Sequence, residues 1–153
     1  MIRTATPDDV VWITSLWNDI IAETLVTFTT VAKTQSTIAE MIDTRPVLVL
    51  PERMGFATYG PFRAGSGYDA TVEHTIILAP DAHGQGMGRT LLSALMDTAR
   101  GENRHVMVAG ISGANPGAIA FHTALGFEQV AQMPQVGRKG GQWLDLILMQ
   151  KLL

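Results

Sequence analysis

The segment His83-Gly84-Gln85-Gly86-Met87-Gly88 constrains this chain more than any other stretch. It follows a β-branched run at residues 71–79, closed by Pro80-Asp81. It opens the strongest helical pattern in the sequence, with Leu91, Leu92, Leu95, Met96 and Ala99 along one face. A strand, a glycine-dense turn and a helix start make an anion site. The first-turn amides lack intrahelical partners, and the helix dipole adds positive potential there. Glycine lets the backbone approach a ligand and take conformations barred to other residues. A tight turn with no ligand uses the same residue types. Two nucleotide motifs fail here. A P-loop needs glycine where His83 stands and lysine where Arg89 stands, and the dinucleotide turn needs Gly-x-Gly-x-x-Gly rather than Gly84, Gly86 and Gly88.

The rest of the chain reads as strands around two glycine-led helices. Residues 2–5 form a short opening strand, and Thr6-Pro7-Asp8-Asp9 has the form of a helix start: Thr6 as N-cap, proline first, acids in the first turn. A second short helix is expected at 36–43. Strands follow at 47–50 and 56–59, joined by a short turn at 51–55 that reads as a trimmed hairpin. Residues 61–67 are a loop. After the long helix come a strand at 106–111, a helix start at Asn115-Pro116-Gly117, a short helix at 118–125 stopped by Gly126, and strands at 127–133 and 143–149. The class is α/β with a mixed sheet.

Composition narrows the function classes. At 153 residues, 46% of them hydrophobic and 16% charged, the chain is too apolar for disorder and long enough for a sizeable core; it reads as one domain, 1–153. A net charge of −3 argues against nucleic acid as a partner, and no apolar run is long enough for a membrane. With no cysteine there is no disulfide framework, thiolate zinc site or thiol nucleophile. No His, Asp and Glu set has convincing ligand spacing, so no metal is expected. A cytoplasmic location is the default expectation.

The run Pro80-Asp81-Ala82-His83-Gly84-Gln85-Gly86-Met87-Gly88-Arg89 resembles the pyrophosphate loop of the GNAT N-acetyltransferases, usually written Arg/Gln-x-x-Gly-x-Gly/Ala; His83 stands where Arg or Gln is usual. Trp17-Asn18-Asp19, Thr71-Val72-Glu73-His74, Asn115, Phe121-His122, Leu125-Gly126-Phe127-Glu128, Val136-Gly137-x-Lys139 and Trp143-Leu144-Asp145 extend the resemblance over almost the whole chain. Together they are similar to the phosphinothricin and methionine sulfoximine acetyltransferase branch.

That resemblance implies a mixed, mostly antiparallel central sheet flanked by about four helices, with acetyl-CoA in the cleft where the sheet splays. It implies that Thr75, Ile76, Ile77 and Leu78 offer backbone to the pantetheine arm. His83, Gly84, Gln85, Gly86, Met87, Gly88 and Arg89 would hold the pyrophosphate, and Asn115 would bond the pantetheine. Asn before Pro-Gly is also an ordinary helix cap. Glu73 would be the general base for the substrate amine, and burial among apolar neighbours tends to raise such a carboxyl. A solvent-facing Glu73, or one paired with Arg63, is the plain alternative. His122 would be the acid for the CoA thiolate, where many family members carry tyrosine. His74, adjacent to Glu73, points to the opposite face, and His105 is expected to be exposed.

Acetyl transfer to an amine needs a neutral nucleophile, a polarised carbonyl and a stabilised thiolate. Without cysteine, direct transfer in a ternary complex is favoured. The branch implies a glutamate-like amino acid as substrate, with Arg63 clamping its carboxylate and Phe28 and Tyr68 as pocket walls. Small residues at Gly65 and Gly140 imply a roomier pocket. Another small amine, a peptide N-terminus, or a CoA-binding regulatory domain without turnover are the competing readings. A homodimer is common in the family.

Overall fold

The computed structural model describes residues 1–153. Its frame is one seven-stranded sheet. In chain order the strands are β1 (Arg3–Thr4), β2 (Val47–Val49), β3 (Gly55–Pro61), β4 (Thr71–Leu78), β5 (Val106–Ser112), β6 (Glu128–Lys139) and β7 (Gln142–Leu152). They lie side by side as β1-β2-β3-β4-β5-β7-β6. Every pairing is antiparallel except β4 with β5. The helices are α1 (Val10–Glu23), α2 (Gln35–Thr44), α3 (Met87–Gly101) and α4 (Pro116–Ala124). This is the mixed sheet with four helices that the sequence implied.

Alternation along the strands sorts apolar side chains onto two faces. One face carries Leu48, Ala57, Tyr59 and Val72 against Leu91, Leu92, Leu95, Met96 and Ala99 of α3, all buried. The other carries Val47, Val49, Phe56 and Ile77 against Ile13 of α1 and Ile38 and Met41 of α2. The helical stripe read from the α3 sequence is therefore the stripe that packs.

The opening turn is a capping arrangement with a buried carboxylate. Residues Pro7–Asp9 form a single 3-10 turn before α1. Asp9, 3% exposed, accepts from both terminal nitrogens of Arg3 at 2.8 and 2.9 Å, from the Thr6 amide at 2.8 Å and from Trp12 Nε1 at 2.8 Å. The Arg3 guanidinium, chiefly through these bonds, holds the Asp9 carboxyl well below the usual carboxylate range. Asp9→Ala leaves the Thr6 and Trp12 donors without their acceptor and is expected to cost about 2–3 kcal/mol in urea unfolding at neutral pH. The contribution is complete above the ordinary carboxylate pKa and is lost as pH falls toward the depressed one.

Most expected strands match within a residue or two, but β6 does not. It runs to Lys139 rather than ending at 133, and its pairing with β7 shifts between Gln129 and Ala131 and again between Met133 and Gly137. As the last strand of the sheet it is largely exposed, so its sequence shows no hydrophobic alternation. Pro134 is tolerated because it falls within the second bulge of an edge strand.

Candidate active site

The cleft arises from strand pairing. β4 and β5 are in register only from Thr71 with Val106 to Glu73 with Val108. Beyond that point β4 stays bonded to β3 as far as Leu78, while β5 follows β7 as far as Ser112. The two strands part like a V, and the edge of β4 facing the gap, from Thr75 to Leu78, has no partner strand. A cavity of about 340 Å3 lies in this opening, lined by residues that include Trp17, Phe28, Glu73, His74, Thr75, Ile76, Ile77, Asn115 and His122. An extended, amide-bearing chain can bond to such an edge as a strand would.

At the far end of β4 lies the glycine turn. Pro80–Ala82 make a 3-10 turn, then Gly84 and Gly86 take φ values of +77° and +76° before α3 begins at Met87. A Cβ at either glycine would meet nothing within 4 Å. The backbone angle, rather than crowding, demands glycine there. Gly88 is different, since a Cβ there would stand 3.0 Å from Leu78. The fifteen-residue α3 directs its unpaired first-turn amides toward this turn. His83, Gln85 and Arg89 are exposed around it, and Met87 is half-buried. Gln85 donates to the Asp81 carbonyl, bracing the turn. These features fit a diphosphate.

Glu73 stands where the strands part. Its Oε2 would lie 3.0 Å from a Cβ at position 110, so Gly110 on β5 makes room for the carboxylate. It makes no ion pair with Arg63 or any other cation. Glu73 is exposed to the open cleft, and the partial loss of hydration there pushes its carboxyl above the usual range, which makes it a stronger proton acceptor than a fully solvated carboxylate.

His122 is buried on α4. Its Nδ1 lies 2.7 Å from the Ala118 carbonyl and its Nε2 lies 3.0 Å from Nε2 of His74. The two rings stack at 5.0 Å with 18° between their planes, and Phe127 meets both edge-on. Burial lowers the pKa of both imidazoles. Sequence reasoning placed His74 on the face opposite Glu73, which is where it lies, but missed its pairing with His122. The available signal was alternation: His74 falls between Val72 and Ile76 on the inward face, and a polar ring there requires a partner.

Asn115 does what an Asn-Pro-Gly start implies: its Oδ1 accepts from the Ala118 amide at 3.3 Å, and it also lines the cleft. Phe28 reaches the cleft from the loop between α1 and α2. That loop is held at both ends. Asn18 exchanges hydrogen bonds with Lys33, at 2.7 and 3.0 Å, while Lys139 donates to the Thr27 carbonyl at 2.8 Å and to its hydroxyl at 3.0 Å. A Cβ at Gly137 would lie 2.7 Å from the Phe28 ring. The Val136-Gly137-x-Lys139 motif therefore seats Phe28, a role that its sequence alone does not disclose.

Arg63 and Tyr68 are not brought into this cleft. They line a second cavity of about 550 Å3 with Arg45, Tyr59, Glu102 and Arg104. The Arg63 guanidinium stands 5.8 Å from the centre of the Tyr68 ring. His105 is exposed, as expected. No helix is long and apolar enough to cross a membrane.

Comparison with known proteins places this geometry. Residues 15–127 match the acetyltransferase (GNAT) family. The chain is 39% identical over 158 residues to an L-methionine sulfoximine/L-methionine sulfone acetyltransferase of Pseudomonas aeruginosa, covering 97% of this chain and 92% of that protein. It is 50% identical over 108 residues to the L-amino acid N-acyltransferase MnaT of Escherichia coli, covering 69% of this chain but only 63% of that relative's length. A phosphinothricin acetyltransferase from Sinorhizobium meliloti, solved with acetyl-CoA, superposes with a TM-score of 0.94 at 34% identity, covering 100% of this chain and 88% of that one. The V-shaped opening between β4 and β5, the glycine turn beyond it and the match over most of the sequence lead to one conclusion: the chain belongs to the GNAT family of acetyltransferases.

Proposed function

We propose that the protein transfers an acetyl group from acetyl-CoA to the primary amine of a small amino acid of the methionine sulfoximine or phosphinothricin type, directly and within a ternary complex. One observation carries this reading. The carboxylate of Glu73 sits where β4 and β5 part, in the same cavity as the open β4 edge, Phe28 and His122. The pantetheine amides would bond to that edge at Thr75, Ile76, Ile77 and Leu78 and to Asn115. The diphosphate would lie on the turn from His83 through Arg89.

Glu73 takes the proton of the substrate ammonium, directly or through water, freeing the amine lone pair for attack on the thioester carbonyl. The tetrahedral adduct loses the second proton of its attacking nitrogen and collapses with cleavage of the C–S bond, while the departing thiolate takes up a proton on the histidine side of the cleft, where His122 lies, so that one proton is released overall. Holding both reactants in the cleft supplies much of the acceleration. No side chain needs to carry the acetyl group.

Arg63 and Tyr68 line the neighbouring cavity rather than the cleft, so as proposed contacts for the substrate carboxylate they require their loop to move toward Glu73. Strand β3 ends at Pro61 opposite Val72, one residue before Glu73, so the loop bearing Arg63 leaves the sheet next to the base. The reading includes a homodimer, supported by the exposed Val130, Met133, Val136 and Trp143 on the edge strand and its neighbour. It also includes a cytoplasmic location, which the cysteine-free composition favours.

The test is thiol release from acetyl-CoA against a panel of methionine sulfoximine, phosphinothricin, polyamines and peptides. The expected order places the two amino acids first, with kcat/KM at least about tenfold above carboxylate-free amines, the worth of one charge-assisted contact. Equal rates across the panel would remove the carboxylate clamp, and no release above hydrolysis would remove the enzyme reading.

A further inference from the structure

Arg45 carries an inference about how the substrate carboxylate is read, and it rests on the proposed transfer to an amino acid. Pro46 disfavours helical backbone at the residue before it, so α2 stops at Thr44 and Arg45 turns extended, with φ −136° and ψ 157°. Its side chain then lies across β3 at Gly60. A Cβ at Gly60 would stand 2.5 Å from Nη1 of Arg45 and 2.9 Å from its guanidinium carbon, so glycine leaves the space that the guanidinium fills. Gly60 pairs with Glu73 across the antiparallel β3–β4 ladder. Directly opposed residues present their side chains on one face, with Cβ atoms about 5 Å apart. Alternation puts positions 60 and 73 on the same face as Phe56 and Ile77, the one that α1 and α2 cover. Arg45 and Glu73 are therefore neighbours at the border of the cleft. Trp17 lines the cleft and also a smaller cavity of about 220 Å3 that Arg45 lines.

The charges beyond this pair are engaged with one another. Glu102 accepts from the Tyr59 hydroxyl at 2.5 Å and faces Arg104 at 3.7 Å, and Arg104 donates to the Asp69 carbonyl. Arg45 is left as an exposed guanidinium without an ion pair, and Glu73 as a carboxylate without one. A cation and a carboxylate held apart on one face match an α-amino acid zwitterion, with its ammonium toward Glu73 and its carboxylate toward Arg45. Arg45 reaches this position from a helix end, without the loop movement that Arg63 and Tyr68 require. We propose that Arg45 is a specificity-determining residue: its guanidinium binds the α-carboxylate of the substrate while Glu73 receives the ammonium. The site then takes α-amino acids with a free carboxylate and disfavours amines without one, peptide N-termini included.

The test is equilibrium binding by calorimetry, run beside thiol-release kinetics, with methionine sulfoximine and with the same amine lacking its α-carboxylate. Arg45→Met keeps an unbranched side chain and removes the charge. It is expected to raise Kd and KM for methionine sulfoximine by about tenfold or more, and to erase most of the preference over the carboxylate-free amine. Arg45→Lys keeps the charge but not the bidentate fork, and is expected to fall between the wild type and Arg45→Met. Gly60→Ala fills the space under the guanidinium and displaces only the end of a flexible side chain. It is expected to raise the same two constants, and the double variant is expected to be no weaker than Arg45→Met alone. A folded Arg45→Met protein that loses amino acid and amine equally, or loses neither, would overturn the proposal, as would additive losses in the double variant. Binding of methionine sulfoximine that depends on Arg45, with no thiol release from any amine, would sink the transfer reading and leave the carboxylate contact standing, so the two failures are distinguishable.

Discussion

Replacing Glu73 with glutamine is expected to lower kcat/KM for the amino-acid substrate by about 10²–10⁴, with the dissociation constant for acetyl-CoA unchanged. Glutamine preserves the size and polarity of the side chain, so the space made by Gly110 stays filled and the β4 edge is undisturbed. What it removes is a proton acceptor. The pH dependence carries the same information. Partial desolvation in the cleft raises the Glu73 carboxyl, so activity is present above that raised pKa and is lost as pH falls through it. The acid limb of the wild-type profile is therefore expected above the ordinary carboxylate range, and Glu73→Gln is expected to lack it. Stopped-time thiol release from pH 4 to 9, with acetyl-CoA saturating, checks both points. An unchanged profile in the variant would mean that the base lies elsewhere.

The second large effect is on stability. Phe56→Ala is expected to cost about 3–5 kcal/mol in urea unfolding. Phe56 is fully buried at the centre of the layer between the sheet and α1 and α2. Its ring lies 5.3 Å from that of Trp17 at an angle of 50°, and its strand neighbour across β4 is Ile77. Trp17 and Ile77 both line the cleft. The cavity left by the truncation therefore opens beneath the active site, and turnover is expected to fall even where the variant is fully folded. Phe56→Leu keeps most of the volume, and its cost is expected to stay below about 1.5 kcal/mol. Equal losses for alanine and leucine would show that the ring contact, rather than filled volume, holds this layer together.

What the sequence disclosed follows from how each residue earns its place. Gly84 and Gly86 were legible because a φ near +77° is nearly a glycine signature, and because a helix start followed directly. The α3 stripe and the Asp9 capping turn were legible because both are local, set by spacing over a few residues. Strand β6 was only half legible, since an exposed edge strand with bulges has no inward face to impose alternation. The His74–His122 contact spans 48 residues of chain, and nothing local to either side chain announces the other. Lys139 was visible only as part of a motif; its hydrogen bonds to Thr27 cross 112 residues. Such contacts depend on which strands become neighbours, and that order is set by the whole fold.

Arg63 and Tyr68 show a different gap. Their loop was legible, but the pocket they enter depended on how far β3 extends. It continues past Tyr59 to Pro61, which carries the loop over the end of the sheet into the cavity shared with Arg45 and Arg104. A pattern of residue types could not fix that geometry.

The most direct measurement is quantitative mass spectrometry of a reaction containing acetyl-CoA labelled in the acetyl carbons and methionine sulfoximine. N-acetyl methionine sulfoximine carrying the label is expected to appear in equal molar amount to the CoA thiol released, with unlabelled protein throughout and a drop of about 10²–10⁴ in rate for Glu73→Gln. Thiol release without labelled product from any amino acid, or a stable label on a protein side chain, would contradict direct transfer in the cleft between β4 and β5.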